Sequence, residues 1–369
     1  MASDKKDIYM SRIRFGKSLK TILLTSCMLA IPMINTSYAE TITYTDQADR
    51  VVTLEKIPER IATIATPAGS MVVAISGNAD RLVGTSQNSK NALVEGVLNE
   101  FFPKLNDISS NIIGKNGDAN IEELLNLETD LVLQWARNTK SIEAMEAAGL
   151  NVAGMLYKKI EIAKTWLTDI GIILRNSPKA EEILAWHDAA YKRITDKTKN
   201  IADADKPSVL YLLSEKRAAG PASHFQFFMD TAGAKNAMPT KAKFIDVDAE
   251  MVLKADPDII WLFGFNMKMT PDKIYANPIF ADLKAVQNHR VYKVPVGGDR
   301  WDPPNQEFAL GWEWFTRTVH PDLLDGSIRQ SIKTAFPMLY GKTPTDAQID
   351  SMLRAEMNRD GLDYAKIIR

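Results

Sequence analysis

The chain contains seven tryptophans and four histidines but a single cysteine, so its binding chemistry has to come from rings and guanidinium groups rather than thiolates. Trp135 stands two residues before Arg137, and Arg300 directly precedes Trp301; Arg217, His224, Tyr157, Thr66 and Phe265 are the other candidates. A guanidinium offers five N–H donors in a rigid fork, and aromatic faces bury flat groups. Such a set suits a bulky, planar, anionic ligand, for example a metal chelate with carboxylate or catecholate oxygens. A bare transition ion would instead ask for several converging His, Cys or carboxylate ligands. His187 falls on a long helical stretch, His289 in a turn and His320 before a proline, which leaves His224 as the one candidate metal ligand. Trp312, Trp314 and Phe315 share a helical pattern with Phe308 and Val319 and are expected in the core, as are Trp166 and Trp186.

Nothing in the sequence points to catalysis. There is no Gly-x-Ser-x-Gly turn, no phosphate loop and no glycine-rich dinucleotide fingerprint. Glu122 and Glu123 sit at a helix start, where interaction with the helix dipole accounts for them. The expectation is a binder with no permanently bound cofactor, not an enzyme.

The candidates share one feature of position. Apolar runs at 61–65, 131–135, 152–156, 208–213 and 258–263 alternate with helical patterns, and unalternated strands separated by helices imply a parallel sheet covered on both faces. Ligands of such sheets sit beyond the carboxyl ends of the strands. Thr66, Trp135 with Arg137, Tyr157, Arg217, Phe265, and Arg300 with Trp301 all follow strand ends, and His224 opens the next helix. Thr66 also precedes a helix whose free N–H groups suit an anion. The run Glu122–Val132 repeats at Glu250–Ile260, an offset of 128 residues, as expected of a duplicated lobe. Between the halves Ile183, Leu184, His187, Tyr191 and Ile194 recur at helical spacing, with Ser177 as the cap. Past Leu324, two amphipathic helices are expected on a lobe, with the last dozen residues loose.

A basic leader (Lys5 to Lys20), an apolar run over 22–34 and small residues at Ser37 and Ala39 have the form of a cleaved export signal, with Met10 as an alternative start. Cys27 offers a second reading, a lipid anchor, though few apolar residues precede it. Removing 1–39 takes away six basic and two acidic residues, moving the net charge from −1 to near −5 and leaving no basic block for nucleic acid. The remaining chain, without cysteine, is expected as a soluble monomer of 40–157 (first lobe), 158–205 (connecting helices), 206–324 (second lobe) and 325–369 (terminal helices).

Several short runs then appear in a characteristic order: Tyr44 to Leu54, Pro58-Glu59-Arg60-Ile61, Gly77 to Gly84, Ala232 to Asn236, Ala285 to Tyr292 and His320-Pro321-Asp322. From about residue 42 to 355 the chain resembles the periplasmic iron-chelate and cobalamin binding proteins, the class III substrate-binding proteins of ABC importers. The resemblance implies an α/β fold of two lobes, each a parallel sheet flanked by helices, joined by a single long helix. It implies a periplasmic carrier that passes a ligand to an inner-membrane ABC permease, docking through an acidic residue on each lobe; Asp230, Glu95 and Glu100 are the candidates. Ferric siderophore leads as ligand. Haem (through His224 and Met71), cobalamin, a nickel chelate or molybdate stay open, as does a periplasmic sensor in place of a carrier.

Overall fold

The computed structural model describes residues 41–114, 117–156, 162–238 and 240–369. The expected export segment with Cys27, and Tyr157, lie outside the described residues.

The chain opens with an antiparallel ribbon of β1 (Ile42–Thr45) and β2 (Val51–Leu54). A four-stranded parallel sheet follows, built from β3 (Ile61–Thr63), β4 (Leu82–Thr85), β5 (Leu131–Trp135) and β6 (Val152–Met155) in the order β4-β3-β5-β6. These strands are buried along nearly their whole length, which is why they read as continuous apolar runs.

The second sheet is mixed. Its strands β7 (Ser208–Ser214), β8 (Arg217–Ala219), β9 (Lys235–Asn236), β10 (Phe244–Asp246), β11 (Ile259–Leu262) and β12 (Val291–Lys293) run in the order β10-β8-β7-β11-β12, with β9 also on β7. The pairs β7–β11, β11–β12 and β7–β9 are parallel, as expected, but β8 and β10 add an antiparallel edge that the sequence reading did not include. Three-residue strands carry too short a pattern to announce themselves.

The helix Ser177–Thr198 has 22 residues, about 33 Å at 1.5 Å per residue. Ala180, Ile183, His187, Ala190, Ile194 and Thr198 form its buried stripe, whereas Tyr191 is exposed and stacks on Phe227 at 5.6 Å. Asn176, not Ser177, holds the cap position, and its side chain makes no cap bond. One apolar cluster contains Leu131 and Leu133 of the first sheet, Val209 and Tyr211 of the second, and Ile183 and Ile194 of this helix, so the largest cluster runs through both sheets, and each sheet has a smaller one of its own.

The terminal helices are Ile328–Tyr340 and Asp346–Met352, the latter opened by a Thr345/Gln348 capping box. The last residues are not loose. Tyr364 and Ile367 are buried, and the Trp314 indole N–H donates to the Tyr364 hydroxyl at 3.0 Å. Among the described residues no helix is long and apolar enough to cross a membrane.

Candidate functional site

After β12 the chain does not turn to the surface. Residues 297–307, with Gly297 and Gly298 at their start, form a strap buried throughout its length. The glycines are required by space: a Cβ on either would collide with the Glu307 carboxylate. The strap fastens to both halves. Toward the first sheet, Ser70 Oγ lies 2.8 Å from Asp299 Oδ2, and the Val97 amide donates to the Gly297 carbonyl at 3.0 Å. Toward the second, Asp302 accepts from the Tyr211 hydroxyl at 3.0 Å and the Gly264 amide at 2.6 Å. His187 of the long helix donates from Nε2 to the Gln306 carbonyl at 3.0 Å.

Arg300 lies at the centre of this arrangement, 3% exposed. Its Nη2 bonds Glu95 at 2.6 Å, and Glu95 also accepts from Arg354 at 2.5 Å. The Arg300 guanidinium carbon lies 4.3 Å from the Phe265 ring centre, a cation–π contact. Its Nε and Nη1 are buried with no hydrogen-bond partner. A desolvated guanidinium with unspent donors favours an anion. From Phe265 a row of ring contacts leads on to Phe263 (5.0 Å), Phe225 (5.7 Å) and His224 (3.9 Å). Arg300, Phe265 and His224 thus share one aromatic wall at the carboxyl ends of the second sheet. Burial, assisted by the nearby Lys243 charge, lowers the His224 pKa to about 4, so its imidazole is neutral at physiological pH.

The other candidates fall elsewhere. Trp301 does not face a ligand: it is fully buried, and its indole N–H donates to Glu307 at 2.8 Å. Trp135 is half-buried and packs on Trp166 at 5.7 Å, while Thr66 Oγ1 is 2.7 Å from Ser89 Oγ. Arg137 is exposed and lines a surface cavity of about 340 Å3 with Gln47, Arg50, Thr139 and Glu146. Arg217 is exposed too, its guanidinium 4.8 Å from the Phe244 ring centre rather than turned toward the aromatic wall. Met71 is fully buried in its helix. Glu95 is committed to Arg300 and Arg354 instead of standing free for a partner protein. Asp230 and Glu100 are exposed, accepting from Gln226 and Gln348 respectively.

Sequence reasoning missed the buried polar frame behind the wall. Lys293 is fully buried and donates to the Phe263 and Asn266 carbonyls, each at 2.6 Å, clamping the loop that carries Phe265. Burial, with Arg354 nearby, lowers its pKa to about 7. Burial raises Asp299 to about 6 and Glu307 to about 7, and raises Asp302 as well. The Gly297-Gly298 pair was the available signal, since adjacent glycines after a strand mark a close approach. Among the described residues no group of three or more His, Cys, Asp or Glu is placed to hold a metal ion.

Residues 61–296 match the sequence profile of the periplasmic binding protein family. No curated protein matches the chain. Among solved structures, a periplasmic solute binding protein from Veillonella parvula is 28% identical, with a TM-score of 0.81 over 87% of this chain and 99% of that one. A Helicobacter pylori CeuE complex with nickel and histidine is 20% identical with a TM-score of 0.67, covering 85% of this chain and 99% of that one. The molybdate-bound periplasmic protein MolA of a Haemophilus influenzae ABC transporter is 19% identical with a TM-score of 0.69, covering 82% and 99%. The chain therefore belongs to the periplasmic binding protein family, solute-binding proteins rather than enzymes, and has the class III fold found with ABC importers.

Proposed function

We propose that this protein captures an anionic metal chelate, a ferric siderophore first among them, at the aromatic wall and delivers it to an ABC permease after export to the periplasm. The observation that carries the reading is Arg300, buried over Phe265 with Nε and Nη1 unpaired. An anion placed there would use donors that are already desolvated, and flat rings beside it would bury a chelate's faces. A bare ion needs three or four converging ligands. At the wall His224 places one imidazole, neutral at physiological pH, which would supply one nitrogen to the metal of a nickel or haem complex. Asp230 and Glu100 are the exposed acids for permease docking, and a two-lobe division around the long helix with a monomeric carrier completes the proposal.

The test is a thermal-shift panel of ferric catecholate and carboxylate chelates, haem, cobalamin, nickel–histidine, molybdate and free divalent ions. A shift with one chelate, reduced in Arg300→Met and in Phe265→Ala, supports the reading. A shift confined to free divalent ions and unchanged in both variants contradicts it.

A further inference from the structure

The strap contains a shortage of hydrogens. Ser70 Oγ is 2.9 Å from the Pro67 carbonyl, 2.8 Å from Asp299 Oδ2 and 3.1 Å from Gln306 Oε1. Gln306 Nε2 is 2.7 Å from the Tyr340 hydroxyl, which in turn is in short contact with Glu307 Oε1. The four contacts that run from Asp299 through Ser70, Gln306 and Tyr340 to Glu307 have three hydrogens to share: the Ser70 hydroxyl, one Gln306 amide hydrogen and the Tyr340 hydroxyl. With the Gln306 amide as placed, Ser70 has one hydrogen for its contacts with both Asp299 and Gln306, and a proton on Asp299 directed at Ser70 Oγ completes the chain. Turning the amide over lets Gln306 donate to Ser70 and Tyr340 donate to Gln306. The contact between Tyr340 and Glu307 then has no hydrogen, and a proton on Glu307 restores it. Each arrangement lacks one proton, and only its resting place differs.

We propose that Asp299 and Glu307 share one proton across the chain Ser70–Gln306–Tyr340, which makes the seam between the strap and the first sheet's Ala68–Ser76 helix sensitive to pH. The remaining charged groups around it are accounted for. Arg300 and Asp302 lie on the strap itself, Lys293 acts from β12, and Glu95 and Arg354 meet at the outer side of Arg300. His187, from the long helix, is neutral, because burial lowers its pKa to about 4. Burial raises both carboxyls of the pair, the direction that the hydrogen count requires.

The sign follows from these values. Burial holds both carboxyls above their ordinary 3.8 and 4.5, so in the weakly acidic range the folded chain keeps the shared proton that the unfolded chain has released. The stabilisation is complete below about pH 4 and is lost as pH rises toward 7, the unfolding constant increasing about tenfold per pH unit in between. The test is denaturant unfolding of the ligand-free protein from pH 4.5 to 7.5 in wild type, Asp299→Asn and Glu307→Gln. An amide at either position supplies the missing hydrogen, so each single variant is expected to remove the same one-proton slope over the background of Asp169 and Asp302. Slopes that fall additively, with both replacements needed, would show two independent carboxyls and overturn the shared proton. An unchanged slope in both variants overturns it too. Should neither variant fold, the infrared C=O stretch of a protonated carboxyl in the wild type at neutral pH is read instead, and its absence overturns the proposal.

Discussion

Trp301 and Arg300 are sequence neighbours with opposite fates, and the difference decides what each substitution should do. Trp301 is fully buried with its one polar atom bonded to Glu307, so Trp301→Ala leaves a large cavity and takes the indole donor from Glu307 Oε2. The expected loss is roughly 3–5 kcal/mol of stability by denaturant unfolding; a loss under about 1 kcal/mol would show that the ring is not packed as described. Lys293→Met removes one of the two donors to each of the Phe263 and Asn266 carbonyls, each lost bond contributing about 0.5–1.5 kcal/mol. Here the expected outcome is both lower stability and weaker ligand binding, since the freed loop carries Phe265. Unchanged binding in a destabilised variant would separate Lys293 from the site. None of these roles could be read from residue type. Lysine and glutamate are ordinarily surface residues, and only a structure shows them enclosed.

At the scale of elements, the sequence announced what was long and periodic. The runs that became β3, β5, β6, β7 and β11 are continuous and apolar, and Ile183, His187 and Ile194 of the expected pattern became part of the inner face of the long helix, with Tyr191 outside it. The edge strands β8 and β10, three residues each, were too short to be seen. The strap was read as a strand-end turn presenting Arg300 and Trp301 to ligand; it is buried from 297 to 307 instead. What hid its burial is that 297–307 is polar in sequence: Asp299, Arg300, Asp302, Asn305, Gln306 and Glu307 bond one another and their neighbours inside the core, leaving Arg300 Nε and Nη1 and Asp302 Oδ1 without partners. Gly297→Ala tests this packing directly. Its methyl group would meet the Glu307 carboxylate, and a melting temperature within a degree of wild type would mean that the strap has room to spare.

At the scale of the molecule, one core joins both sheets and the long helix, so thermal unfolding of 40–369 should be a single cooperative transition. Two resolved calorimetric peaks would mean that the sheets melt independently. The periplasmic binding protein family and its fold were legible in the order of short motifs; the ligand was not, because an arginine over a ring accepts many anions. Exposed acids make the permease proposal testable apart from the ligand. Asp230→Lys is expected to leave chelate affinity unchanged while blocking uptake in cells, and normal uptake would remove Asp230 from the docking surface.

Ligand capture at the wall depends most heavily on the unspent donors of Arg300. Calorimetric titration of wild type and Arg300→Met with the chelate that gives the largest thermal shift measures their contribution. A charged hydrogen bond is worth about 1.5–3 kcal/mol, so the variant should bind at least about tenfold more weakly while remaining folded. Equal affinity in the two proteins would contradict an anion held by Arg300.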